Sequence, residues 1–185
     1  MNKMQNKIDL SILNAMVTNS NENLMQLTNQ KPVFLIFLRH FGCVFCKEAL
    51  HDLAEKKNIF DAKGIKMVFV HMAEEKVANE YFKNYGLTGV AHISDLSCNY
   101  YSAFGITKGT FSQLYGLRTW IRGFSAKRAG FELEMASSLG DSTQMPGIFL
   151  IRFGKIIETF IHKNASDRPD YEKLISVAAS RIAEA

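Results

Sequence analysis

Residues 33–48 read VFLIFLRHFGCVFCKE. The first six positions are an unbroken apolar, β-prone run, the pattern of a strand buried on both faces as in a parallel or mixed sheet. Lys31 and Pro32 precede it, and the strand should end near Arg39 and His40. From Cys43 onward, Cys46, Ala49, Leu50 and Leu53 fall on one helical stripe, with Lys47, Glu48, Asp52 and Glu55 on other faces. The stretch is therefore a strand, a short loop and an amphipathic helix, with Cys43 at the helix mouth and Cys46 one turn in.

Outward toward the C-terminus, Gly64 breaks the chain, residues 65–70 read as a second strand, and 74–85 as a helix ended by Gly86. Residues 90–93 form a short third strand, and 98–104 a short helix stopped by Gly105. Strand–helix–strand units imply right-handed crossovers. Regular β pattern resumes at 147–153, turns at Gly154 and Lys155, and returns over 156–161 as a hairpin. A last helix is expected from about Pro169 to Ala183, with Asp167 as its N-cap and Leu174, Ile175, Val177, Ala178 and Ile182 apolar. Between these units, residues 107–141 lack a strand pattern. There Phe111, Leu114, Leu117 or Arg118, and Ile121 suggest a helix within an insertion. At the front, Ile8, Ile12, Ala15 and Met16 predict a leading helix, and the Asn-rich stretch 18–29 a loose connection carrying Leu24 and Leu27. The expected organisation is a helical extension over 1–30 and one domain over 31–185.

Composition agrees with one domain. A chain of 185 residues buries roughly 70% of its unfolded surface, and 47% apolar and 22% charged residues exclude disorder, collagen and coiled coil. The +4 net charge comes from 22 basic and 18 acidic residues scattered along the chain, so no nucleic-acid footprint is visible. The longest apolar run falls far short of the roughly 20 residues that span a bilayer, so no membrane partner is expected. The opening 1–17 is interrupted by Asp9, Ser11 and Asn14 and reads as mature protein. Three cysteines are too few for a disulfide scaffold. With an odd count and no export signal, a reducing cytoplasm is the expected compartment.

A thiol at the first turn of a helix faces free backbone N–H groups and the positive end of the helix dipole, which favour thiolate over thiol. Two cysteines three residues apart are close enough to bridge, so one can attack a disulfide or peroxide while the other resolves the product. Helical geometry makes Cys43 the more exposed, and Cys46 shares the face of Leu50 and Leu53. Cys43 is therefore expected as nucleophile and Cys46 as resolving thiol. Arg39 and His40 add positive potential just before the pair. His40 reads equally as a proton donor or acceptor and as a surface histidine at a strand end. Other readings stand beside this one: a zinc half-site, for which only Cys98 and five unpaired histidines could complete four ligands; two coincidental core cysteines; and a binding or scaffold module without turnover. Cys98 is preferred as a structural cysteine over a distant resolving thiol. His51, His71, His92 and His162 show no partner pattern and read as structural. Arg118 and Arg122, with Trp120 between them, read as a solvated face in preference to an anion site. No cofactor and no metal are expected.

The stretches 37–48, 101–106 (YSAFGI) and 145–151 (MPGIFLI) together resemble the thioredoxin superfamily, and more closely its peroxiredoxin-like branch, the alkyl hydroperoxide reductase/thiol-specific antioxidant group. The resemblance covers roughly residues 30–183. It implies an α/β three-layer sandwich with a central mixed sheet of four or five strands. It also implies a proline before the penultimate strand, commonly cis and facing the thiols, a place that Pro146 takes. The Pro-x-x-x-Thr/Ser-x-x-Cys signature of peroxiredoxins is not restored in either register. With Cys46 aligned to the reactive thiol, Cys43 and Arg39 stand at the Thr and Pro; with Cys43 aligned, His40 and Ile36 do. Thioredoxin's Trp-Cys-Gly-Pro-Cys is absent as well. The implied function is a thiol-disulfide oxidoreductase that reduces a disulfide or a small peroxide. Its partners would be a thioredoxin- or glutaredoxin-type reductant or another disulfide-bearing protein, and homodimers occur in such a family.

Overall fold

The computed structural model describes residues 8–134 and 137–183; residues 1–7 of the expected extension, and the side chains of Leu117, Arg118, Trp120, Ala178 and Ile182, lie outside it. Strand β1 (Val33–Phe37) is the middle of a five-stranded sheet of order β3-β2-β1-β4-β5. β2 (Lys66–His71) pairs with it in parallel and β3 (Ala91–Ser94) pairs in parallel with β2. β4 (Gly147–Arg152) lies antiparallel on its other side and β5 (Lys155–Ile161) closes the hairpin. Every residue of β1 is buried, as its unbroken apolar run predicts.

Alternation splits that run between two cores. Phe34, Ile36, Phe69, Ile148 and Leu150 point to one layer, closed by α3 (Val44–Glu55), α4 (Lys57–Ala62), α5 (Glu75–Asn84) and α9 (Tyr171–Ala183). Val33, Leu35, Phe37, Val68, Val70 and Phe149 point to the other, covered by α1 (Leu10–Ala15), α2 (Leu24–Gln30), α6 (Asn99–Ala103) and α7 (Phe111–Tyr115). α8 (Leu117–Arg128) packs against α3. The result is the expected three-layer α/β sandwich. Among the described residues no helix is long and apolar enough to cross a membrane.

Several local expectations are corrected. The Asn-rich stretch is no loose connection: Asn23 caps α2 by accepting from the Gln26 N–H at 3.2 Å, and Leu24 and Leu27 are buried. In α1 it is Leu13 that is buried, while Ala15 is exposed. The helix sought in 107–141 is two helices, parted where Gly116 is extended (φ −60°, ψ 162°) and a Cβ would stand 2.3 Å from the Ser112 carbonyl oxygen. The hairpin turns at Phe153 (φ 52°) and Gly154 (φ 69°), the paired positive φ of a two-residue loop, one residue earlier than expected. Asp170, not Asp167, caps α9 through the Lys173 N–H at 3.0 Å; Asp167 accepts from the Lys163 and Asn164 N–H groups instead.

One side chain ties the sheet to the loop that carries the thiols. Tyr101 is fully buried, and its hydroxyl reaches the carbonyls of Leu38 at 2.6 Å and Val70 at 3.0 Å, where β1 and β2 end. Tyr101→Phe strips both carbonyls of this partner and should destabilise by about 1–3 kcal/mol. Urea unfolding would show a lower midpoint at unchanged slope.

Candidate active site

The chain leaves β1 with Leu38 still bonded to Val70 through its N–H (2.9 Å), then turns so that the Cys43 N–H meets the His40 carbonyl at 3.0 Å. Cys43 is the N-cap of α3, with extended backbone (φ −73°, ψ 129°) and no side-chain capping bond. Its sulfur therefore stands at the positive end of a twelve-residue helix. Cys46 lies in the first turn. All three cysteines are free thiols.

Cys43 is not exposed as helical geometry alone predicts: it is 3% accessible, and Cys46 4%. The cause is a segment from the far side of the chain. The Glu134 N–H bonds the Gly42 carbonyl at 2.9 Å, and the Phe41 N–H bonds the Leu139 carbonyl at 3.0 Å. A Cβ on Gly42 would fall 1.9 Å from the Glu134 oxygen, so only glycine permits this approach. The same segment explains why Lys47, expected on an outer face of α3, is buried. Its ammonium donates to the Glu132 carbonyl at 2.8 Å and to the Glu134 carboxylate, which also accepts from the Tyr81 hydroxyl at 2.6 Å. Glu48 and Asp52, likewise expected outside, are buried against arginines: Arg122 meets Glu48 at 2.7 Å, and Arg168 grips Asp52 at 2.7 and 2.5 Å. Arg122 is thus tied to α3, not part of a purely solvated face.

Arg39 is the polar centre of the loop. Its guanidinium, 7% accessible with its residue, donates from Nη1 to Cys43 Sγ at 2.9 Å, from Nε to the Gln144 carbonyl at 3.3 Å and from Nη2 to the Ser142 carbonyl. Among the described residues no carboxylate forms an ion pair with it. A buried cation without an anion is costly, and the acceptor it does reach beyond two neutral carbonyls is the Cys43 sulfur. Cys46 meets a different environment: its Sγ–H points to the Arg39 carbonyl at 3.6 Å, and burial, reinforced by Cys43, pushes its thiol well up from the ordinary cysteine range. The two sulfurs are chemically unequal, one beside a guanidinium and a helix end, the other held as a thiol.

His40 is no surface histidine. It is buried, and desolvation, with the Arg39 charge adding to it, lowers its pKa to about 4, so it is neutral near pH 7 and contributes no positive potential. Pro146 shares a cavity of about 30 Å³ with Cys46, Arg39, Phe45, Ile148 and His162, while Cys43 is not on that cavity. The cis bond implied for it is absent, since no described peptide is cis. His162 enters this cavity unannounced by the sequence, which offers only an isolated histidine after a strand. Cys98 packs with the layer on the opposite face of the sheet from Cys43 and Cys46. Among the described residues, the grouping of three potential metal ligands is His51, Asp52 and Glu55, which excludes both site cysteines, and its Asp52 is already held by Arg168.

The sequence profile of the AhpC/TSA family matches residues 11–159, most of the chain. "Thioredoxin-like protein AAED1, chloroplastic" from Arabidopsis thaliana is 25% identical over 166 residues, covering 85% of this chain and 66% of that protein, so the chain spans just under two thirds of that relative. "Prostamide/prostaglandin F synthase" from Bos taurus is 23% identical over 173 residues, covering 91% of this chain and 85% of that one. Among solved structures, the bacterioferritin comigratory protein of Xanthomonas campestris superposes with a TM-score of 0.67 at 11% identity, over 95% of this chain and 96% of that one. Peroxiredoxin 6 of Arenicola marina gives 0.62 at 12% identity, over 90% and 69%. A family profile that spans both thiols and most of the sheet places this chain in the AhpC/TSA family.

Proposed function

We propose that the chain reduces a peroxide or a disulfide through a Cys43/Cys46 dithiol cycle, with Cys43 as nucleophile and Cys46 as resolving thiol. The observation that carries this reading is the buried Arg39 guanidinium on Cys43 Sγ, paired with no carboxylate among the described residues. It is the electrostatic complement of an attacking sulfur anion, preformed before substrate arrives.

With a hydroperoxide, Cys43 sulfur attacks one peroxide oxygen, the O–O bond breaks, and the alkoxide leaves as alcohol after gaining a proton; Cys43 is left as the sulfenic acid. Cys46 sulfur then attacks Cys43 sulfur, the S–O bond breaks, and water leaves with the Cys46 proton. With a disulfide as oxidant, the leaving group in both steps is a thiol. In either case an external dithiol of thioredoxin or glutaredoxin type restores the reduced pair. Relatives named for a thioredoxin-like protein and for a prostamide/prostaglandin F synthase add an organic oxidant to hydrogen peroxide and protein disulfides as candidates.

The test is a thiol count on reduced protein before and after hydrogen peroxide, an organic hydroperoxide and a model disulfide. The expected result with at least one of them is a fall from three titratable thiols to one, Cys98 surviving, and full return on adding a dithiol. Three thiols after all three oxidants would reject the cycle.

A further inference from the structure

His162, the residue after β5, lines the same cavity as Cys46. Its ring sits edge-on to Phe160 at 5.0 Å, and its Nδ1 is buried with no hydrogen-bond partner among the described residues. A buried polar atom left unpaired costs about 1–3 kcal/mol. The cavity of about 30 Å³ is lined mainly by apolar groups, but His162, Cys46, Arg39 and Asp167 also border it, and it has room for a water, which needs roughly 10–15 Å³. Cys46, on the same cavity, is the group in the dithiol cycle that must lose a proton while fully buried.

We propose that His162 is the proton acceptor for Cys46, its Nδ1 taking the Cys46 proton through one bridging solvent molecule as Cys46 sulfur bonds to oxidised Cys43. The proposal rests on the dithiol cycle above. The step balances: the S–S bond forms, the S–O bond of the Cys43 sulfenic acid breaks, and the proton held on His162 passes to the departing hydroxide as water. With a mixed disulfide it passes to the departing thiolate.

His162 can hold the Cys46 proton only transiently. Burial, opposed by the Asp167 carboxylate and by backbone groups of Pro146 and Asp167, lowers the pKa of His162 to about 4, so the ring is neutral when the thiol needs a base. Arg39 further disfavours the imidazolium and makes the ring a weak base, so the proton moves to it in concert with S–S bond formation, which acidifies the Cys46 S–H, and passes on at once to the leaving group. The other charged or titratable groups on this cavity are Glu48 and Asp52 on α3, Asp167 and Arg168 ahead of α9, and Tyr171 at its start. Arg168 is bound to Asp52, and Glu48 to Arg122, so neither carboxylate is free to serve the thiol.

The test separates the two chemical phases. Reduced full-length protein is mixed with whichever oxidant consumes its thiols, quenched at intervals with an alkylating reagent, and the sulfenic and disulfide forms counted by mass spectrometry. His162→Gln should leave the Cys43 oxidation rate within about twofold and slow disulfide closure about 100-fold, the low end for loss of a positioned acid–base group, so that sulfenic acid accumulates. Between pH 6 and 8 closure should be flat in the wild type and rise about tenfold per pH unit in the variant, where Cys46 must ionise on its own. Added imidazole should restore closure in His162→Gly. In wild-type protein, deuterated solvent should slow closure more than twofold and leave Cys43 oxidation unchanged; this measurement decides the matter alone if the variants do not fold. Closure at the wild-type rate in folded His162→Gln, or no deuterium effect in the wild type, overturns the role of His162. A wild type whose Cys43 is never oxidised overturns the dithiol cycle, and this proposal with it.

Discussion

Cys43→Ser should abolish oxidant consumption, a loss on the order of 10³-fold or more as for removal of a nucleophile elsewhere, whereas Cys46→Ser should still oxidise once per chain. The asymmetry follows from the two environments. Cys43 Sγ receives the Arg39 guanidinium at 2.9 Å and caps α3, so charge placed on that sulfur is met by a fixed donor and a helix end. Cys46 Sγ is buried and bonded to the Arg39 carbonyl, which stabilises the protonated form. In Cys46→Ser the first attack is intact and the product has no resolving partner, so a sulfenic acid or a mixed disulfide builds up to one equivalent. Single-turnover oxidant consumption with mass analysis of both variants checks this. The reverse pattern, a dead Cys46→Ser and a one-turnover Cys43→Ser, would exchange the roles. Undiminished biological function in Cys43→Ser would favour a binding module that kept the fold without turnover.

What the sequence discloses and what it conceals divide along sequence distance. The run 33–38 and the stripe Cys46, Ala49, Leu50, Leu53 are local periodicities, and both elements form where the periods place them. A helical wheel of α3, however, knows only α3. It assigns Lys47, Glu48 and Asp52 to the outside, but Glu134, Arg122 and Arg168 arrive from segments 74 to 116 residues away and bury them. The same long-range closure conceals Cys43 and makes His40 a neutral interior ring. His162 is illegible for the same reason: a lone histidine after a strand has no periodic partner, and its meaning appears only once β5 sets it against the Cys46 cavity. At α2 the failure is local instead, since a run rich in asparagine hides one Asn acting as a cap and two leucines three apart.

Lowering the pH from 6.5 to 4.5 should cost this protein several kcal/mol of stability, before most carboxylates titrate. Four histidines resist protonation in the folded state: burial holds His40 and His162 to about 4, burial plus His92 holds His71 to about 3, and burial lowers His92 as well. The His71 case is readable atom by atom. His71 Nε2 meets His92 Nδ1 at 2.9 Å, His92 Nε2 meets the Asn79 side-chain oxygen at 3.0 Å, and the Ala73 N–H points to His71 Nδ1 at 3.4 Å. One consistent set of protons has Ala73 donating to His71, His71 to His92 and His92 to Asn79; an added proton sets two donors face to face. In the unfolded chain each ring titrates near 6.5. Below that value the unfolded state binds more protons than the folded one, so stability rises with pH across the window and is lost as pH falls toward 4. Each tenfold difference in proton affinity is about 1.4 kcal/mol, so several such sites together weigh against a typical domain's total of roughly 5–15 kcal/mol. Asp141 acts later: burial works against it, but bonds from Lys108 and Thr143 hold its carboxyl to about 2, so its contribution is lost only as pH falls from 3.8 through 2. Urea midpoints measured from pH 7 to pH 4.5 should therefore fall steeply with acid, with about three or more protons taken up on unfolding near the bottom of that range. His71→Asn should reduce the uptake by one. A midpoint unchanged between pH 6.5 and 4.5 would contradict the neutral interior histidines, and with them the neutral His162 that the proton-acceptor role requires.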